Sequence, residues 1–292
     1  MKNPVVTISV TAKRRRGTRE KYRRLGLWLI LAVIAAIWLL PLIFVVFTSL
    51  KSRQELLTGS PFLPPKSLTL ENFGAAWRRG HLASFGLNSL IIALIKVPLG
   101  LLISSLAAFA LTRLRFRFQK ALVLLILVGA LLPVQIALSP LFTMMLKAGL
   151  LNHFAGVLLP YVAFGIPYQV FLLRGFFASL PRELDEAAAI DGCSAFRFYW
   201  KVVLPLSLPA LSALFILDFV GTWNEFSIAL VMLQAKSSWT LPLALQSFQG
   251  LYGNNYNQLT AAILISVLPV VVVYLLFQRF FIAGLTAGAV KG

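Results

Sequence analysis

The chain has one cysteine, Cys193, in 292 residues, so it can close no internal disulfide and build no cysteine-ligated metal site. It has two histidines, His81 and His153, far apart and each in a loop-like context. No metal-ligand cluster and no Ser/His/Asp set stands out. No G-x-x-x-x-G-K-[ST] occurs, which excludes nucleotide binding by a P-loop. Charge is scarce: 12% of residues are charged, against about 25% in a soluble domain. Acids are scarcer still, nine against 27 lysines and arginines. A net charge of +18 in a soluble protein would suggest nucleic acid. Here 59% of residues are hydrophobic and the mean hydropathy is +0.85. The excess of cations therefore reads as lysine and arginine held on one side of a membrane, and nucleic acid is not expected as a partner.

What the chain does contain is long apolar runs. Residues 1–24 are basic and polar, expected to be disordered and solvated. Residues 25–48 form an uncharged run too long for a signal peptide, hence a first span. Residues 49–85 are mixed and proline-bearing, an extramembrane loop with short helical pieces. Further spans are expected at about 86–111, 121–145, 154–177, 206–233 and 259–281. The fold class is all-α, a polytopic membrane protein of six transmembrane helices, 25–281, closed by a tail, 282–292. Lys96 lies inside the second span, where it must snorkel, pair with an acid or face water. Six spans put both termini on one side. That side carries nine basic residues in 1–24, four in 113–120, four between 174 and 201 and two in the tail. These nineteen stand against seven opposite, so both termini are expected in the cytoplasm.

The stretch 183–209, ELDEAAAIDGCSAFRFYWKVVLPLSLP, holds charges of both signs between two spans. Charged groups cannot sit unpaired in hydrocarbon, so it stands in water. Its chemistry reads as helix, turn, helix. Pro181 suits a helix start, and Glu183, Asp185 and Glu186 complement the helix dipole. Gly192 is a left-handed stop and Ser194 caps a second helix. Phe196, Trp200 and Val203 would then form one apolar stripe. Pro205 and Pro209 kink the return into the membrane.

Glu186-Ala187-Ala188, Asp191-Gly192, Leu204-Pro205-Leu206 and Pro209 together resemble the EAA loop of ABC-importer permeases. FLLRGFFASLPREL (171–184) is similar to the approach to that loop in carbohydrate importers. QRFFIAGLTAGAVKG (278–292) is similar to the tail of maltose-type second permease subunits. The whole chain after the basic segment thus resembles the MalG-like permeases, with a type I ABC-importer permease fold in the bacterial or archaeal inner membrane. The resemblance implies a coupling helix in which Glu186, Ala187, Ala188, Asp191 and Gly192 dock into a cleft of an ATPase. It implies a second permease subunit in a heterodimer, two ATPase subunits that carry the ATP and Mg, and an extracytoplasmic solute-binding protein. The chain itself would hold no cofactor and catalyse nothing, and its cargo would be a sugar, oligosaccharide or polyol.

The fifth span carries Asp218, Gly221, Thr222 and Glu225 at a spacing that places them on one helix face, with Trp223 and Asn224 alongside. Carboxylates in a membrane helix face a bundle interior or an aqueous cavity. The stripe therefore either lines a sugar pathway or is a structural set partnered within the bundle. A membrane enzyme with paired acids, an ion-coupled transporter and a permease for a non-sugar solute are the alternatives.

Overall fold

A computed structural model describes the backbone of residues 11–248 and 255–289, with side chains over 21–22, 24–248 and 255–278. Residues 1–10, 249–254 and 290–292, and the side chains of most of the 278–292 motif, lie outside it.

Helix α1 (Thr11–Leu50) runs unbroken from the basic segment into the first span. Disorder was expected for the basic segment, but over residues 11–24 it is helical; lysine and arginine are good helix formers and no proline intervenes. Two short helices, α2 (Arg53–Thr58) and α3 (Glu71–Arg79), fill the following loop. Then come α4 (Leu82–Arg113), α5 (Gln119–Leu131), α6 (Val134–Lys147) and α7 (Phe154–Ser179). The polar loop holds α8 (Glu183–Ile190), α9 (Ala195–Phe198), a π-helical turn Tyr199–Val203, and α10 (Leu204–Leu206). The chain continues through α11 (Leu208–Trp223), α12 (Ser227–Met232), α13 (Leu241–Gln246) and α14 (Tyr256–Ala289). No strand occurs among the described residues.

Four helices are long and apolar enough to cross a bilayer: 24–50 of α1, α4, α7 and 256–278 of α14. Two more crossings are bent pairs. α5 and α6 meet at 99°, and the 195–206 segment meets α11 at 74°. Counting each pair once gives the six spans expected. The breaks fall at Leu132-Pro133, where the residue before proline is driven out of the helical region, and at Ser207. The fifth span ends at Trp223, ten residues before its expected limit, and α12 is a separate short helix.

In lipid there is no hydrophobic drive between helices, so packing depends on close backbone approach and polar contacts. α4 supplies this with Ser89 and Ala93, then Gly100, Ser104 and Ala108, small residues four apart; Ala93, Ser104 and Ala108 are fully buried. α7 lies against this face and α11 against α4 and α14. One apolar cluster joins α4, the C-terminal half of α7, the π-turn, α11 and α14. A second joins Ile92, Met145, Val157, Tyr161, Ile228, Met232 and Leu243. Outside the spans, the end of α1 is tied down by side-chain amides. Asn72 Nδ2 donates to the carbonyls of Ser49 and Lys51, both at 2.8 Å, and Asn257 Nδ2 donates to Lys51 O at 3.0 Å. Lys51 is itself buried and donates to Ser60 O at 2.8 Å.

Candidate functional site

The loop after α7 forms the helix–turn–helix that its residues suggested. α8 opens with Glu183, Asp185 and Glu186 in its first turn. Asp191 N donates to Ala187 O at 3.0 Å, Gly192 N to Ala189 O at 3.1 Å and Cys193 N to Ala188 O at 2.8 Å. This closes the helix as a left-handed C-terminal motif, with Gly192 at φ +64°. Ser194 Oγ then accepts from Arg197 N and caps α9.

Arg113, the last residue of α4, fastens the loop to the membrane helices. Its guanidinium pairs with Asp185 and donates to Phe177 O at 2.7 Å and Leu180 O at 2.9 Å. One planar fork thereby joins the end of α4, the end of α7 and the start of α8, satisfying two carbonyls that the end of α7 leaves free. Leu184, Ala188 and Cys193 pack inward on the core. Glu186, Ala187, Asp191 and Gly192 are exposed, as are Ile190 at 87% and Phe196 at 68%. Of the five expected coupling residues, four face outward and Ala188 faces the body. The expected Phe196–Trp200–Val203 stripe does not form. The π-turn adds a residue and shifts the phase, so Phe198, Tyr199 and Val203 are the buried ones. Tyr199 Oη is 2.6 Å from Ser105 Oγ of α4.

The acidic set of the fifth span is also rearranged. Asp218 and Glu225 do not share a helix face, because α11 stops at Trp223 with Asn224 as its cap. Asp218 forms a buried ion pair with Lys96 of α4, the second of the three roles open to that lysine. Gly165 of α7 makes room for this pair: a Cβ there would stand 3.1 Å from Lys96 Nζ and 3.4 Å from Gln169 Nε2. Gln169 is fully buried and accepts from Ser104 Oγ at 2.7 Å. Asp218 Oδ2 and Gln169 Nε2 are buried without a hydrogen-bond partner.

Glu225 turns the other way. It accepts from Tyr161 Oη at 2.5 Å and from the backbone N–H groups of Ile228 at 2.8 Å and Ala229 at 3.1 Å. The carboxylate thus caps α12, whose own cap position, Phe226, offers no side-chain acceptor. Thr222 Oγ1 donates to Asp218 O and Trp223 Nε1 to Ser266 O. Asn224 donates to Val220 O and remains exposed. Arg113, Tyr161 and Gln169 were missed in the sequence. An unpaired Lys96 signalled that some acid had to reach it; no signal marked the other three.

A bundle of bent spans with a capped helix–turn–helix strapped beneath it suits a transport component. Residues 100–286 match the family model of the binding-protein-dependent transport system inner membrane component. The chain belongs to that family. This permease is 38% identical over 265 residues to the arabinooligosaccharides transport system permease protein AraQ of Halalkalibacterium halodurans, covering 89% of this chain and 94% of that one. It is 34% identical over 278 residues to the melibiose/raffinose/stachyose import permease protein MelC of Bacillus subtilis, covering 95% and 100%. A bacterial ABC transporter involved in the import of the acidic polysaccharide alginate aligns with a TM-score of 0.74 at 23% identity, over 96% of this chain and 100% of that one. That likeness establishes the all-α, ABC-importer permease fold. The expected family and fold are both borne out.

Proposed function

We propose that this permease carries a sugar or oligosaccharide inward, in a heterodimer with a second permease, driven by two ATPase subunits and supplied by an extracytoplasmic binding protein. Relatives named for arabino-oligosaccharides, for melibiose, raffinose and stachyose, and for diacetylchitobiose support the cargo class. The observation that carries the coupling role is the α8–α9 unit. Its outer face presents Glu186, Ala187, Ile190, Asp191 and Phe196, while Arg113 holds its inner face to α4 and α7. A rigid helix with small, acidic and apolar groups on one face fits a groove on a partner. A push on it is delivered to two membrane helices at once. The loop and both termini would lie on the ATPase side of the membrane, where the basic residues concentrate.

The stripe 218–225 would act as the frame of the pathway. Asp218, Thr222, Trp223 and Glu225 make their hydrogen bonds inside the protein. Asn224, still exposed, is the one of the five placed to meet a sugar hydroxyl.

The test uses the complete complex in proteoliposomes with the cargo-loaded binding protein. Glu186→Lys, on the docking face, is expected to abolish stimulation of ATP hydrolysis while the complex still assembles. Wild-type stimulation in that variant would refute the coupling role. Failure of any of the related oligosaccharides to drive stimulation in the wild-type complex would refute the cargo class. Impermeant thiol labelling of single cysteines at Thr58 and Arg16, in a Cys193→Ser background, checks the orientation: Thr58 is expected to react from outside and Arg16 to be protected.

A further inference from the structure

The groove between α5 and α7 carries chemistry that the transport cycle does not explain. It has a volume of about 130 Å³. Val123, Leu127 and Ala130 of α5 line one wall, and Pro167, Val170 and Arg174 of α7 the other. The helices run in opposite senses, so the start of α5 lies beside the end of α7. Arg174 therefore stands at the end of the groove nearest the 178–205 loop, and the rest of the wall is apolar.

Arg174 is half-buried, its Nε is shielded from solvent, and it makes no hydrogen bond or ion pair within the described residues. A guanidinium on a membrane helix calls for an anion. The chain has none to offer there: no aspartate or glutamate occurs between Glu71 and Glu183. Asp185, the nearest acid beyond the end of α7 that faces the body, is taken by Arg113. More cations gather at the same end. Lys120 stands one turn before Val123 on the groove-lining stripe of α5. Arg115 and Arg117, in the short connection before α5, are exposed.

We propose that this groove binds an anionic phospholipid of the leaflet on the loop side. Its phosphate sits on Arg174 with Lys120 beside it, and one acyl chain lies along Val123, Leu127, Pro167 and Val170. The fork of N–H donors on arginine matches a phosphate in two bonds. Basic pockets between membrane helices at the cytoplasmic level are sites of this kind. The committed occupant is a lipid because the cation and the apolar wall are continuous: a free phosphate would use only the mouth, and an apolar face of another subunit would leave Arg174 unpaired. Lipid bound here would brace α7 one turn above Phe177 and Leu180, whose carbonyls hold Arg113 and, through it, the loop.

The complete complex is reconstituted in phosphatidylcholine vesicles with or without phosphatidylglycerol, each lipid in turn carrying a photoactivatable acyl chain. After irradiation, labelled peptides are mapped. The expected result is labelling within 123–130 and 167–174 by phosphatidylglycerol in excess over phosphatidylcholine. Arg174→Gln should lower it about fivefold, the worth of one basic residue near an anionic surface. Arg174→Lys keeps the charge and should retain most of it, which guards against a folding defect, and each variant must elute as the intact complex. Equal labelling by both lipids, labelling unchanged in Arg174→Gln, or a groove labelled by neither because the second permease covers it would each overturn the proposal.

Discussion

Remove one half of the Lys96–Asp218 pair and the other becomes a buried charge with no counter-charge. Lys96 is 4% exposed as a residue, and the side chains of the pair are 5% and 12% exposed. Uncompensated burial of this kind costs about 3–5 kcal/mol. At roughly 2 °C per kcal/mol for a chain of this size, Asp218→Asn or Lys96→Met should lower the thermal midpoint of the purified complex by about 6–10 °C. The double variant removes both charges and replaces them by groups of similar volume. It should recover most of the loss, since a neutral replacement of a buried pair is often near-neutral. The assay is the fraction of complex surviving a temperature ramp, read by size-exclusion chromatography, for wild type, both single variants and the double. A coupling energy of about 2 kcal/mol or more is expected from the cycle. Single variants that each lose less than about 1 kcal/mol, or losses that simply add in the double, would mean that the pair is hydrated and the burial argument fails.

Arg113→Ala should free α8 from α4 and α7 together. Binding-protein stimulation of ATP hydrolysis should fall, by roughly the 5–150-fold that couplings of 1–3 kcal/mol represent, while the basal rate stays. Gly192→Ala puts a Cβ at a left-handed position, φ +64°, and should cost about 1–2 kcal/mol in the turn. Gly192→Asn, better tolerated there, should keep more of the stimulated ATPase activity than Gly192→Ala. Glu225→Ala removes the acceptor for two amides and should cost about 0.5–2 kcal/mol of cap. Hydrogen exchange at Ile228 and Ala229 should then speed up roughly 2–30-fold.

The six crossings were legible because hydropathy and length are written in consecutive residues. Their bends were not. Hydropathy measures how apolar a run is, not where it turns, and α5 and α6 read as one run through Pro133. Helix caps in the loop were legible because Gly192 and Ser194 act on their own neighbours. The fifth-span stripe failed for a related reason: the spacing of Asp218 and Glu225 implies a shared face only if the helix continues, and neither glycine nor proline marks its end at Trp223. Partners distant in sequence were invisible in principle. Lys96 meets Asp218 across 122 residues, and nothing in either segment names the other. The π-turn hid the burial of Tyr199 because a single inserted residue rotates everything after it by about 100° relative to a 3.6-residue period.

The two separate apolar clusters make this permease a pair of stiff bodies rather than one. The first body holds the ends of α4 and α7 nearest the loop, with α11 and α14; the second holds α6, α12 and the start of α7. α4 and α7 run through both, and each carries a proline near the seam: Pro98 in α4 and Pro160 and Pro167 in α7. A proline removes a backbone hydrogen bond from the helix it interrupts, so bending resistance is lowest between the bodies, where side-chain interlock is also thinnest. A load applied at α8 should therefore tilt the first body as a unit and leave the cap of α12 by Glu225 intact. The permease has the mechanics of a jointed rod, with its hinge set at the depth of the prolines.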